Sequence, residues 1–175
     1  MNKKIKKIII LGILLVLLLV FVVLFTRSHP IDDAAVNLEN GDVAYVTLEA
    51  KGSGHRIEVF DKDGAPLFTK VLTLTSGAVP GVYFEGEYLC VHDGREDITY
   101  VYDRSGTRVE KRENVPDTQG KFDGWERSWS VYEVKVGGAR YVYDTANIME
   151  TILGQKTVLF IENEQGERVV LYEKE

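Results

Sequence analysis

Two kinds of hydrophobic patterning divide the chain. Ile8 to Phe25 is an apolar run in which Gly12 is the sole residue without a large apolar side chain. At 1.5 Å per helical residue such a run spans about 27 Å, close to the hydrocarbon thickness of a bilayer. The pattern predicts a transmembrane helix over 8–25, preceded by a basic cytoplasmic N-terminus, 1–7, with Lys3, Lys4, Lys6 and Lys7. Only Arg27 follows the run closely. The positive-inside rule therefore predicts a single-pass signal-anchor in the cell membrane, with the C-terminal part extracytoplasmic. A cleavable signal peptide has the same charged start. Its apolar core is usually about 7–15 residues, ending at a small-x-small site, and residues 24–30 offer no such site.

Residues 26–40 read as a polar linker, and from 41 to 175 the pattern is β. Strands are expected at 43–49, 56–60, 67–75, 82–84, 87–91, 98–102, 107–111, 130–136, 140–143, 157–161 and 168–172, runs rich in Val, Ile, Thr, Tyr and Phe. In 130–136, Tyr132, Val134 and Val136 share one face while Glu133 and Lys135 take the other, the period of a strand. Gly137-Gly138 is a two-residue hairpin loop, and 61–64, 103–106 and 163–166 are turns closing on glycine. Residues 144–154 fit either a short helix or, as preferred here, a turn and strand.

Three stretches align without gaps: Val59-Phe60-Asp61-Lys62-Asp63-Gly64, Val101-Tyr102-Asp103-Arg104-Ser105-Gly106 and Val142-Tyr143-Asp144-Thr145-Ala146-Asn147. Each reads as apolar, aromatic, Asp, two turn residues, then Gly or Asn. Asp61, Gly64, Asp103, Gly106, Asp144 and Asn147 are thus structural turn residues of a repeat about as long as one four-stranded propeller blade, roughly 40–45 residues. On these residues the chain resembles the bacterial β-propeller repeats of the quinoprotein-like and YVTN-like kind. That resemblance implies an aromatic-Asp-x-x-Gly turn between the third and fourth strands of each blade. The expected fold is all-β: an N-terminal transmembrane helix, then an antiparallel β-meander of about 3.5 propeller-like blades, or else a compact sandwich or barrel. Closed propellers have typically four blades or more, so closure stays open at this point.

Charge narrows the partners. The first 25 residues hold four lysines and no acid, leaving 17 basic and 27 acidic residues for the remainder. An acidic exterior repels polyphosphate backbones, so nucleic acid is not an expected partner. Cys90, the single cysteine, lies in an apolar strand and reads as a buried thiol. No Asn-x-Ser/Thr acceptor occurs in the chain. With no structural disulfide and no such acceptor, a bacterial cell envelope is the expected setting.

No motif for chemistry stands out. His29, His55 and His92 lack a second His or Cys at ligand spacing, so neither a metal nor a cofactor is expected. Asp61-x-Asp63-Gly64 begins like a calcium loop but has no acid at its twelfth position. No nucleophile elbow, phosphate loop or zinc-protease helix is found, and no catalytic residue is nominated. Phe122, Trp125 and Trp129 cluster beside Gly120 and Gly124. They are the candidate binding surface for a protein or a glycan, Trp being enriched at binding hot spots; core filling is the alternative, favoured for Trp129. The expected function is therefore a membrane-anchored extracytoplasmic binding domain. Its rivals are an envelope hydrolase using carboxylates and a structural subunit assembling through sheet edges.

Overall fold

The computed structural model describes residues 10–18, 20, 30–48, 54–74, 80–114, 121–146, 150–151 and 153–174. Helix is found at 10–18 and at 20. Among the described residues no helix is long and apolar enough to cross a membrane, where about 20 residues are needed. The expected transmembrane helix, and with it the single-pass anchoring and the extracytoplasmic envelope placement, is corrected by this finding. Apolar composition predicted insertion; the described helical run falls short of the length that insertion requires.

Beyond it the described fold is three antiparallel sheets, with helix at 150 and 151, where a turn and strand were expected in preference to a short helix. The first sheet runs β1 (Ile31–Val36), β2 (Val43–Leu48), β3 (Gly54–Phe60) and β4 (Pro66–Thr73), in chain order. The second is β5 (Gly81–Glu85), β6 (Tyr88–Asp93), β7 (Ile98–Tyr102) and β8 (Arg108–Glu113). The third is β9 (Glu126–Ser128), β10 (Val131–Val136), β11 (Ala139–Asp144), β12 (Thr157–Glu162) and β13 (Arg168–Lys174). Each expected strand is present within a few residues of its predicted ends. Two strands were not expected: β1, inside the supposed linker, and the three-residue β9.

The first sheet is the middle layer. Ala35, Ala44, Val46, Ile57 and Val59 pack one of its faces onto Val82, Leu89, Val91 and Tyr102 of the second sheet. Its other face, with Ile31, Ala34, Val43 and Tyr45, packs onto Tyr141, Tyr143, Leu159 and Ile161 of the third. A strand covered on both sides must be apolar at successive positions, and Val43-Ala44-Tyr45-Val46 is buried throughout.

The Asp-x-x-Gly turns explain how the layers are spaced. Asp61 Oδ1 accepts the N–H groups of Asp63 (3.0 Å) and Ala65 (2.8 Å), and the Gly64 N–H donates to the Asp61 carbonyl at 3.0 Å. Asp103 repeats this with Ser105 and Thr107, both at 2.9 Å. Hydrogen bonds from Ser105 and Thr107 also hold the Asp103 carboxyl below the usual carboxylate range. In the third sheet the turn falls at Asn163, whose Oδ1 accepts from Gln165 (3.0 Å) and Glu167 (2.9 Å). Asp144 instead closes β11, followed by a Thr145 N–H that donates to Ser130 O at 2.9 Å; Asn147 lies outside the described residues. The gap-free alignment assumed equal spacing, whereas the 121–130 segment with β9 and the long connection 145–156 between β11 and β12 displace the third turn along the chain.

Gly106 has φ +79°, and a Cβ there would meet the Phe68 ring of β4 at 2.6 Å. Gly64, with φ +80°, is seated in the same way against Val169 of β13. Each turn thus needs glycine twice, for its left-handed backbone and for the neighbouring strand's close approach. Around Gly166 there is open space. The aromatic of the repeat, Phe60 in the first sheet and Tyr102 in the second, points at the neighbouring layer. Its counterpart in the third sheet is Glu162, which pairs with Arg140 (3.1 Å) and Arg168 (2.6 Å).

Candidate functional site

The innermost strands β1 and β5 meet the 121–125 turn, and Asp33 is the residue that joins them. A register shift between Ile31 and Asp33 marks a bulge in β1, and a bulge re-aims side chains. Asp33 is 1% exposed. Its Oδ1 accepts the N–H groups of Ala34 (2.9 Å) and Phe122 (2.7 Å), and Oδ2 accepts that of Val82 (2.8 Å). One carboxylate therefore binds backbone from all three sheet regions. Burial pushes its carboxyl up to about 6, against the pull of the three N–H donors and of Lys121.

The same bond holds Phe122 in a left-handed conformation, φ 54°, which costs about 1–3 kcal/mol for a non-glycine residue. Aromatic packing offsets that cost. The Phe122 ring stacks on Tyr132 at 4.5 Å and on Tyr143 at 5.4 Å, and meets Trp125 edge-on at 6.1 Å. Trp125 N–H donates to Phe122 O at 3.1 Å, closing the turn.

Trp125 is 9% exposed, and its indole Nε1 is buried with no hydrogen-bond partner. Two clefts flank this side chain. One, of about 450 Å3, is lined by Asp32, Lys121, Phe122, Trp125, Arg127 and Tyr132 among others. The other, of about 300 Å3, reaches from Trp125 to Leu38, Glu39, Phe84 and Asp123. In the first, the Arg127 guanidinium lies 5.3 Å from the Tyr132 ring centroid, because β9 pairs Arg127 directly opposite Tyr132. Beside it, Asp32 Oδ2 stands 3.5 Å from His55 Nδ1.

The three candidate aromatics do not form one surface. Phe122 and Trp125 are buried in the layer between the first and third sheets. Trp129, expected in the core, is 87% exposed in the turn between β9 and β10. Asp32, Lys121 and Arg127 were not singled out from the sequence. Each is an ordinary charged residue until strand pairing sets it beside Trp125.

Elsewhere, Cys90 is fully buried and its thiol is pushed up to about 11 by burial, a state that suppresses the reactive thiolate. His92 is also buried, its Nδ1 3.0 Å from Thr99 Oγ1. His29 lies outside the described residues. Among the described residues no group of three His, Cys, Asp or Glu side chains is placed to hold a metal ion.

No family model matches the chain, and no curated protein does. Among solved structures it is similar to Hsv2 of Kluyveromyces marxianus at 14% identity and TM-score 0.36, over 78% of this chain and 46% of that one. It is similar to Kluyveromyces lactis Hsv2 at 11% identity and TM-score 0.35, over 82% of this chain and 50% of that one. The chain spans about half the length of these two proteins, at a similarity too low to bear on its fold or function.

Proposed function

We propose that this chain is a non-catalytic binding domain of three propeller-like sheets, which takes a protein segment or a glycan in the cleft beside Trp125. The observation that carries the reading is the buried indole Nε1–H of Trp125, which lines the cleft and has no hydrogen-bond partner. Leaving such a donor unpaired costs about 1–3 kcal/mol, a cost that a ligand acceptor relieves. The cleft also has the makeup of a recognition site, with aromatic walls and a few charged groups around them. Support for propeller-like sheets comes from the recurring third-to-fourth-strand turn and the glycine seated on the next layer.

A carboxylate hydrolase has less in its favour. Asp33, the neighbour of Asp32, is fully engaged by three backbone donors. Stacking of a further layer on the third sheet is opposed by its outer face, where Glu133, Arg140, Glu162 and Arg168 already pair among themselves.

The test is nuclear magnetic resonance of the full chain, following the Trp125 indole N–H, assigned with a Trp129→Phe variant. Soluble neutral and acidic oligosaccharides and a set of short peptides are titrated in turn. Binding at this cleft shifts that resonance saturably. If none of the sugars or peptides moves it, the reading is wrong.

A further inference from the structure

We infer that the ligand of this cleft is a sugar ring carrying one carboxylate, a uronic-acid unit of an acidic glycan. The inference rests on the binding reading above and narrows it by charge and shape. Among the described residues Lys121 and Arg127 line the cleft against one carboxylate, Asp32, so that lining carries one positive charge in excess. A single ligand carboxylate balances that excess. A dianionic phosphate overshoots it, in a chain whose formal net charge is already −6, and a neutral sugar leaves it unmatched.

Arg127 is suited to the carboxylate. Its planar fork matches two carboxylate oxygens, and the Tyr132 ring beneath it, 5.3 Å away, limits its freedom before binding. Pre-positioning of this kind reduces the entropy lost on association.

The remaining lining suits a ring. Tyr132, with the small exposed parts of Phe122 and Trp125, gives the C–H face of a pyranose an apolar wall. The Trp125 Nε1–H, unpartnered and covered in this structure, supplies a donor for a ring or hydroxyl oxygen once the ligand uncovers it, and Asp32, which lines the cleft, supplies an acceptor for a hydroxyl. A volume of about 450 Å3 lies within the range of small-ligand sites, roughly 300–1,000 Å3.

Calorimetric titration of the full chain with trigalacturonate and with maltotriose tests the assignment. Trigalacturonate binds, its affinity falls at high salt, and Arg127→Ala and Lys121→Ala each weaken it at least tenfold. Both side chains are exposed, and far-ultraviolet circular dichroism verifies that the variants fold. Equal affinity for the two sugars, or trigalacturonate binding untouched by Arg127→Ala, overturns the carboxylate assignment. If neither sugar binds while a peptide shifts the Trp125 resonance, the cleft is a peptide site and this inference fails alone. If nothing shifts it, both readings fail.

Discussion

The two faces of the middle sheet are packed in different ways. Toward the second sheet the contact is chiefly aliphatic, with Ala44, Val46, Ile57 and Val59 against Val82, Leu89 and Val91. Toward the third sheet it is aromatic, with Tyr45, Tyr141, Tyr143, Phe122 and Trp125. Branched aliphatic side chains interdigitate and fill space. Large rings meet at fixed angles and bring polar handles that need partners. Tyr45 Oη donates to Glu58 at 2.5 Å, and Tyr141 Oη donates to the Gly41 carbonyl at 2.6 Å. Trp125 Nε1 has no partner, and Trp125 lines the two clefts described above. One interface serves cohesion and the other carries the candidate site.

The largest expected effect tests what joins the two. Asp33→Ala leaves three buried N–H groups without an acceptor and is expected to destabilise the fold by about 3–5 kcal/mol. Urea denaturation measures it, and a loss below about 1 kcal/mol removes Asp33 from its joining role. Within the aliphatic interface, Leu89→Ala should cost about 2–4 kcal/mol by opening a cavity, with the Trp125 indole resonance unmoved. A shift of that resonance would show that the two interfaces are coupled.

The third effect is pH dependence. The folded Asp33 carboxyl is raised from 3.8 to about 6. Its contribution is fully present below the unfolded value and is lost as pH rises through the folded one. Stability at pH 4 should exceed that at pH 7 by up to about 3 kcal/mol from this group. Asp33→Asn should flatten that part of the profile, and an unchanged profile would assign it to other groups. The smallest effect belongs to the aromatic side. Tyr141→Phe removes the hydrogen bond to Gly41 and should cost about 1 kcal/mol, read from the thermal midpoint. A loss near that of Leu89→Ala would erase the distinction between the two faces.

Most of the β architecture was legible because alternation and turn chemistry are local. The β10–β11 hairpin around Gly137-Gly138 pairs Val136 with Ala139, as its sequence requires. β1 was not legible: Ile31-Asp32-Asp33-Ala34 reads as a linker unless the distant Val82 and Phe122 N–H groups are known to meet Asp33. The third repeat was placed too early because Asn163 and Glu162 replace the Asp and the aromatic of the motif. Phe122 and Trp125 stood out by composition, but burial of these two and exposure of Trp129 follow from the fold. The transmembrane expectation rested on apolar content, and no helix among the described residues is long and apolar enough to cross a membrane.

Glu162 has a wider consequence. Layers that stack by inserting a ring into the next sheet and resting a glycine turn on its outer strand have no inherent stopping point. A third sheet with an aromatic at 162 would offer the next molecule the surface that the first two offer their neighbours. With a carboxylate clamped by two arginines there, any further layer must strip water from an ion-pair network before it gains contact. On that side the ion pairs of one side chain stand against a further layer.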